Sequence, residues 1–332
     1  MRIRVSTAFP HWPLKLQSPS GSGVWDGVEF LVDQEVDRAD GWIVFEGVRE
    51  VQSTVCPGER VVLVTFEPPA IKSYDPRYTR QFARVLTCHA MDHGGLILGQ
   101  QCLPWHYGRN VSGEGDDRFL ESYDSLVADD PFSCKERLAS VICSAKRSRD
   151  CHRRRNRFVE LLGGAGIDGL DLFGRGRARE VSCKRDAIRP YRYHVVLENS
   201  SCPHYWSEKL ADAYLGGAFP IYWGCPNLEE YFPEGSFARI DIDDPEGAVN
   251  AIREIIQSDA YSKAVPLLRL CRELILERYN FFPTMAKLIR SLDAGETRRV
   301  TLRPEELFSI RGRIRRIRLG IKRMMGAECD MR

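Results

Sequence analysis

Between Glu198 and Lys209 the chain gathers a carboxylate, an amide and a hydroxyl at Glu198-Asn199-Ser200, then Tyr205, a second hydroxyl at Ser207, and an acid and an ammonium at Glu208-Lys209. Alone, a Glu at a helix start only compensates the dipole, and a Lys beside it is only solvated. The order of these groups suggests more. Tyr193 to Leu197 alternates aromatic and β-branched residues, which predicts a buried strand ending at the Glu-Asn-Ser triplet. Ser207 is a good N-cap, Leu210, Ala213 and Tyr214 recur at helical spacing, and Gly216-Gly217 stops the helix before a second strand, Phe219 to Trp223. The result is a βαβ unit with its polar groups at the strand's carboxyl end and the helix's amino end. Unpaired helix amides and dipole favour phosphate at that position.

The set Tyr191-Arg192-Tyr193, Glu198-Asn199-Ser200, Tyr205-Trp206-Ser207-Glu208-Lys209, Ala213, Gly217, Pro220 and Gly224 resembles the donor-binding signature of the α-1,3/4-fucosyltransferases, glycosyltransferase family 10, in its bacterial-type soluble form. Arg192 stands where the family has Lys, and Ser207 where it has Thr. The resemblance continues through Asn227 to Asp241 downstream, and upstream through Leu170 to Arg175, Lys135 to Ala145 and Val61 to Pro69. The first 50 residues and the last 30 carry no such likeness.

The resemblance implies an α/β fold of GT-B architecture, with two Rossmann-like domains facing a cleft. With a boundary at Asp129-Asp130-Pro131, the chain divides into an acceptor-binding domain over 1–130, a donor domain over 131–300 and a basic amphipathic tail over 301–332. The implied reaction is inverting transfer of L-fucose from GDP-β-L-fucose to a glycan hydroxyl, O3 or O4 of the GlcNAc in a lactosamine-type unit. Lys209 and Arg175 would neutralise the departing diphosphate, and Glu208 would accept from a ribose diol. Glu198 and Asn199 would hold fucose or ribose, Tyr205 would bind near the phosphates, and Tyr193 and Ser200 complete the donor set. The general base is expected to be Glu67, which ends a strand of the other domain beside Phe66 and Pro68-Pro69, where limited solvent raises its pKa. Glu46 is the reserve. Asp241-Ile242-Asp243-Asp244 has the look of a metal motif, but the family neutralises phosphate with Lys and Arg, so neither a metal nor any other cofactor is expected.

Composition is consistent with this. With 332 residues, 43% apolar and 28% charged, the chain suits two globular domains. No apolar run approaches a membrane span, and Arg, His and Pro interrupt the N-terminus before a signal sequence develops, so a cytoplasmic location is expected. The 11 cysteines are odd in number and scattered, which argues against a disulfide framework and fits a reducing compartment. The net charge of +2 hides two basic clusters on an acidic body, Lys146 to Arg157 and Arg311 to Arg323. The first either attracts the nucleotide diphosphate or solvates a helix start. Ile and Met recur at helical spacing through 311–325, as in a helix that either makes peripheral contact with a membrane face or packs on the body. Neither cluster has the interleaved aromatics that nucleic acid would require, so no nucleic-acid partner is expected.

Overall fold

The computed structural model describes residues 1–9, 12–110 and 118–308. Segment 311–325, with its expected membrane contact, lies outside the described residues.

The first half is built on β1 (Arg2–Thr7), β2 (Val24–Trp25), β3 (Val28–Val32), β4 (Gly41–Phe45), β5 (Gln52–Pro57), β6 (Val61–Val64), β7 (Arg84–Thr87) and β8 (Leu96–Leu98). Seven of these form one sheet in the order β2-β3-β1-β4-β6-β7-β8, parallel except for β2. The N-terminus, whose sequence shows no long apolar run, supplies β1, an interior strand paired on both sides. In β1 Ile3 and Val5 are fully buried, and Arg4 lies over the Trp42 ring at 4.5 Å while donating to the Ser53 carbonyl at 2.7 Å. Short helices α1 (Pro76–Thr79) and α2 (Tyr123–Ala128) and the two-residue strands β9 (Arg109–Asn110) and β10 (Arg118–Phe119) lead out of this half.

The second half contains β11 (Arg137–Ile142), α3 (Asp150–Gly164), β12 (Leu170–Phe173), β13 (Tyr191–Leu197), α4 (Glu208–Leu215), β14 (Phe219–Trp223), β15 (Ala238–Arg239), α5 (Pro245–Gln257) and α6 (Ala260–Glu277). Its sheet is wholly parallel, in the order β12-β11-β13-β14-β15. Parallel crossovers need long connections, which the helices α3, between β11 and β12, and α4, between β13 and β14, supply while covering the sheet. A single apolar core runs from Val141 and Val195 through Leu210, Tyr214 and Ile221 to Ile252 and Leu268.

Two Rossmann-like halves with parallel sheets are the GT-B arrangement that the resemblance implied. The second boundary falls elsewhere than expected. After α6 the chain returns to the first half: α7 (Phe281–Ser291) buries Phe281, Phe282, Met285 and Ile289 against Val5, Phe30 and Phe45, and β16 (Thr297–Leu302) pairs antiparallel with β5. Residues 281–302 therefore belong to the first core, not to a donor domain running to residue 300. The apolar face of α7 matches that of any helix in sequence, and which sheet it covers is decided only by packing.

Candidate active site

In each sheet the chain leaves one central strand toward one edge and resumes on the other side, which opens a crevice at the carboxyl ends of the flanking strands. In the second sheet this point lies between β11 and β13. A cavity of about 200 Å³ sits there, lined by Ile142, Cys143, Ser144, Arg155, Lys184, Val195 to Leu197, Glu208, Lys209 and Asp212. In the first sheet it lies between β1 and β4, where a cavity of about 220 Å³ is lined by Thr7, Phe45, Phe66 and Glu67. A third space of about 450 Å³ is lined by Arg109, Gly174, Arg175, Glu180 and Lys184. His106 lines all three and marks where they meet.

The α4 amino end is built as the sequence predicts. The Ser207 hydroxyl accepts from the Lys209 amide at 3.3 Å, and Gly217, at φ +65°, takes the left-handed conformation that ends the helix. Lys209 Nζ lies 3.0 Å from Glu208 Oε1 and 3.5 Å from Glu198 Oε2. Burial acts to lower the Lys209 ammonium, but Glu208 and Glu198 overcome it and keep the group charged. Burial likewise acts to raise Glu208, and Lys209 and Lys184 outweigh it, holding that carboxyl well below the usual range.

Sequence reasoning missed four supporting groups. Asp212 is fully buried; its Oδ2 accepts from Lys184 Nζ at 2.7 Å and its Oδ1 from the His106 amide at 2.9 Å, which ties both residues to α4. Its spacing from Glu208 places the two carboxylates on one helix face, and this was legible. Lys184 and His106 carried no local signal. The His106 ring, 4.5 Å from Trp12, is pushed down to about 3 by burial and is neutral. Arg155, from the first basic cluster, turns inward: it is buried, and its Nη1 donates to Asn199 Oδ1 at 2.5 Å. Its Nε has no hydrogen-bond partner among the described residues.

Several of the expected donor residues make structural contacts. Glu198 is fully buried, with Oε1 accepting from the Ser207 amide at 2.8 Å and Oε2 from the Ser207 hydroxyl at 2.6 Å. It braces the helix start. Tyr193 is buried on the far side of β13, where its hydroxyl donates to the Ser258 carbonyl and accepts from the Tyr261 amide, both at 3.0 Å. Tyr205 is buried within the first half's core, where it joins the two halves. Asn199 and Ser200, half-buried at the exit of β13, are not among the residues lining the three cavities. Arg175 is exposed on the rim of the third. In the aspartate run, Asp244 caps α5 by accepting from the Gly247 amide, and Asp243 pairs with Arg154. The motif is spent on local structure.

Across the cleft, Glu67 lies half-buried in the loop after β6. Burial first, and Glu46 second, raise its carboxyl, while Lys209 opposes them. Glu46 itself is fully engaged. Its Oε2 accepts from the Phe66 amide and the Tyr74 hydroxyl, and its Oε1 from Lys72, all at 2.7 Å. The reserve candidate therefore shapes the loop that carries Glu67 and has no free oxygen for a substrate.

Residues 132–274 match the family model described as Glycosyltransferase family 10 (fucosyltransferase) C-term. The chain is 33% identical to the α-(1,3)-fucosyltransferase FucT of Helicobacter pylori over 60 residues, 18% of this chain and 13% of that protein. It is 28% identical to human α-(1,3)-fucosyltransferase 7 over 116 residues, 33% of this chain and 32% of that one. These alignments thus span at most about a third of the relatives' length. A crystal structure of an α1,3-fucosyltransferase with GDP-fucose superposes at a TM-score of 0.46 with 16% identity, over 89% of this chain and 92% of the other. The match to glycosyltransferase family 10 is thus carried by residues 132–274, which hold the strand, helix and glycines around Lys209.

Proposed function

We propose that this protein is an inverting fucosyltransferase that moves L-fucose from GDP-β-L-fucose to a hydroxyl of a glycan acceptor, with GlcNAc O3 or O4 as the position that the family likeness suggests. The observation that carries the reading is the cavity at the β11–β13 switch point, where Arg155, Lys184 and Lys209 converge at the amino end of α4, with Glu67 on the opposite wall of the cleft. Three cationic side chains beside the free amides of the α4 amino end offer the charge-assisted donors that a nucleotide diphosphate takes.

In this reading the acceptor oxygen attacks the anomeric carbon as the bond from that carbon to the β-phosphate oxygen breaks. The hydroxyl proton passes to Glu67, and the electron pair leaves with GDP, whose growing charge Lys209 and the α4 amides stabilise. Inversion requires the base on the face opposite the leaving group, and the two walls of the cleft supply that separation. No metal enters the scheme.

Calorimetric titration with GDP, UDP and CMP in EDTA, followed by transfer from GDP-fucose to N-acetyllactosamine, tests the proposal. Guanine-selective binding and an α-linked product are expected. Preference for UDP or CMP would assign the fold to a different nucleotide sugar.

A further inference from the structure

The cavity beside Glu67 has a mostly apolar lining. Phe9, Trp12, Leu14, Phe45, Phe66 and Pro104 form most of it. The Phe66 ring lies 5.2 Å from Phe9 and 5.7 Å from Phe45, so three phenyl rings make one continuous wall. The polar groups are few. Thr7 is already spent, donating its hydroxyl to Asp33 at 2.7 Å and its amide to the same carboxylate at 2.8 Å. The other polar residues lining it are Glu67, His106 and Arg109, of which His106 also lines the donor cavity.

A hexose seated wholly in this space would turn several hydroxyls toward phenyl rings, and each would lose its hydration without a replacement partner. An apolar ring has the opposite balance, gaining roughly 25 cal/mol for each Å² removed from water. The shape also suits it, since aromatic rings pack favourably edge to face at such separations.

We infer that the acceptor is an amphipathic glycoside, whose reacting sugar hydroxyl meets Glu67 and His106 while an aromatic aglycone fills the pocket of Phe9, Phe45 and Phe66. This rests on the donor reading above, because the pocket is an acceptor site only if the Lys209 side holds the donor. Glu67 ties the two together, since it both lines the apolar pocket and senses the charge of Lys209.

The test compares free N-acetylglucosamine with its 4-nitrophenyl β-glycoside, first by calorimetric binding to the GDP-saturated protein and then as acceptors. The aryl glycoside is expected to bind about tenfold tighter or better, the scale for burying one ring, with a matching gain in kcat/KM. Phe9→Ala, at a partly exposed position, and Phe66→Leu should each shrink that preference while leaving GDP affinity unchanged. Equal binding of the two compounds, or an aryl preference that survives both substitutions, would overturn the inference. Loss of GDP binding in the parent protein would instead remove the donor reading, so the two failures are distinguishable.

Discussion

Glu198 and Ser207 form a two-point clamp: one carboxylate oxygen takes the serine amide at 2.8 Å and the other its hydroxyl at 2.6 Å, inside a fully buried site. The carboxyl end of β13 is thereby fastened to the amino end of α4, and Lys209 is held in position between two acids. Gly224 makes room for the clamp, since a Cβ there would come within 2.5 Å of both Glu198 Cγ and the Tyr222 hydroxyl oxygen.

Removing the clamp should cost stability before it costs chemistry. Glu198→Ala strands a buried amide and hydroxyl, at about 1–3 kcal/mol, and Gly224→Ala overpacks the same spot by a similar ~1–3 kcal/mol. Denaturant titration should show both losses. Unchanged midpoints in both variants would mean that Glu198 does not brace the helix.

Lys209→Met should weaken GDP binding by at least about tenfold, the worth of one charge-assisted hydrogen bond. Arg175→Ala, at the exposed rim, is expected to weaken it less. Titration calorimetry in EDTA reads both. Full GDP affinity in Lys209→Met would move the diphosphate elsewhere.

Glu67→Gln should lower transfer by about 10²–10⁴-fold, the usual contribution of a general base, while leaving GDP affinity intact. A base must be ionised to act, and burial with Glu46 nearby raises this carboxyl above its ordinary 4.5. Transfer should therefore fall as pH drops through a limb centred above 4.5, and the Gln variant should lack that limb. An unchanged pH profile in the variant would exclude Glu67 as the base.

Acid should destabilise the fold well before the carboxylates titrate. Burial pushes both His194 and His106 down to about 3 from an ordinary 6.5, so the unfolded chain takes up protons that the folded one refuses. The stability that this provides is complete above pH 6.5 and drains as pH falls toward 3. His194, whose Nδ1 lies 2.8 Å from the Ser140 hydroxyl, can be replaced by Asn to flatten the slope. Equal unfolding midpoints at pH 7.5 and 5 for the parent protein would refute this.

The donor-side framework was legible because its signals are local. The alternation in Tyr193 to Leu197, the Ser207 cap and the Gly216-Gly217 stop each act over a few residues, and all three stand in the structure as read. The interior strand Arg2–Thr7 was missed, although Ile3 and Val5 share one face, because arginines fill the alternate positions and one of them, Arg4, is buried against Trp42.

Residue types and spacing by themselves determined the βαβ unit, the family of residues 132–274 and the chemical character of the α4 amino end. Only the tertiary structure decided which polar groups face a cavity. It turned Glu198 and Tyr193 inward, spent Glu46 on the Phe66 loop, returned α7 to the first sheet and brought His106, Lys184 and Arg155 to the cleft. The physical reason is that a carboxylate or a guanidinium reads alike in sequence whether its partner is a ligand or a backbone amide. Its role depends on which distant strands and helices close around it, and that is a property of packing rather than of neighbours along the chain.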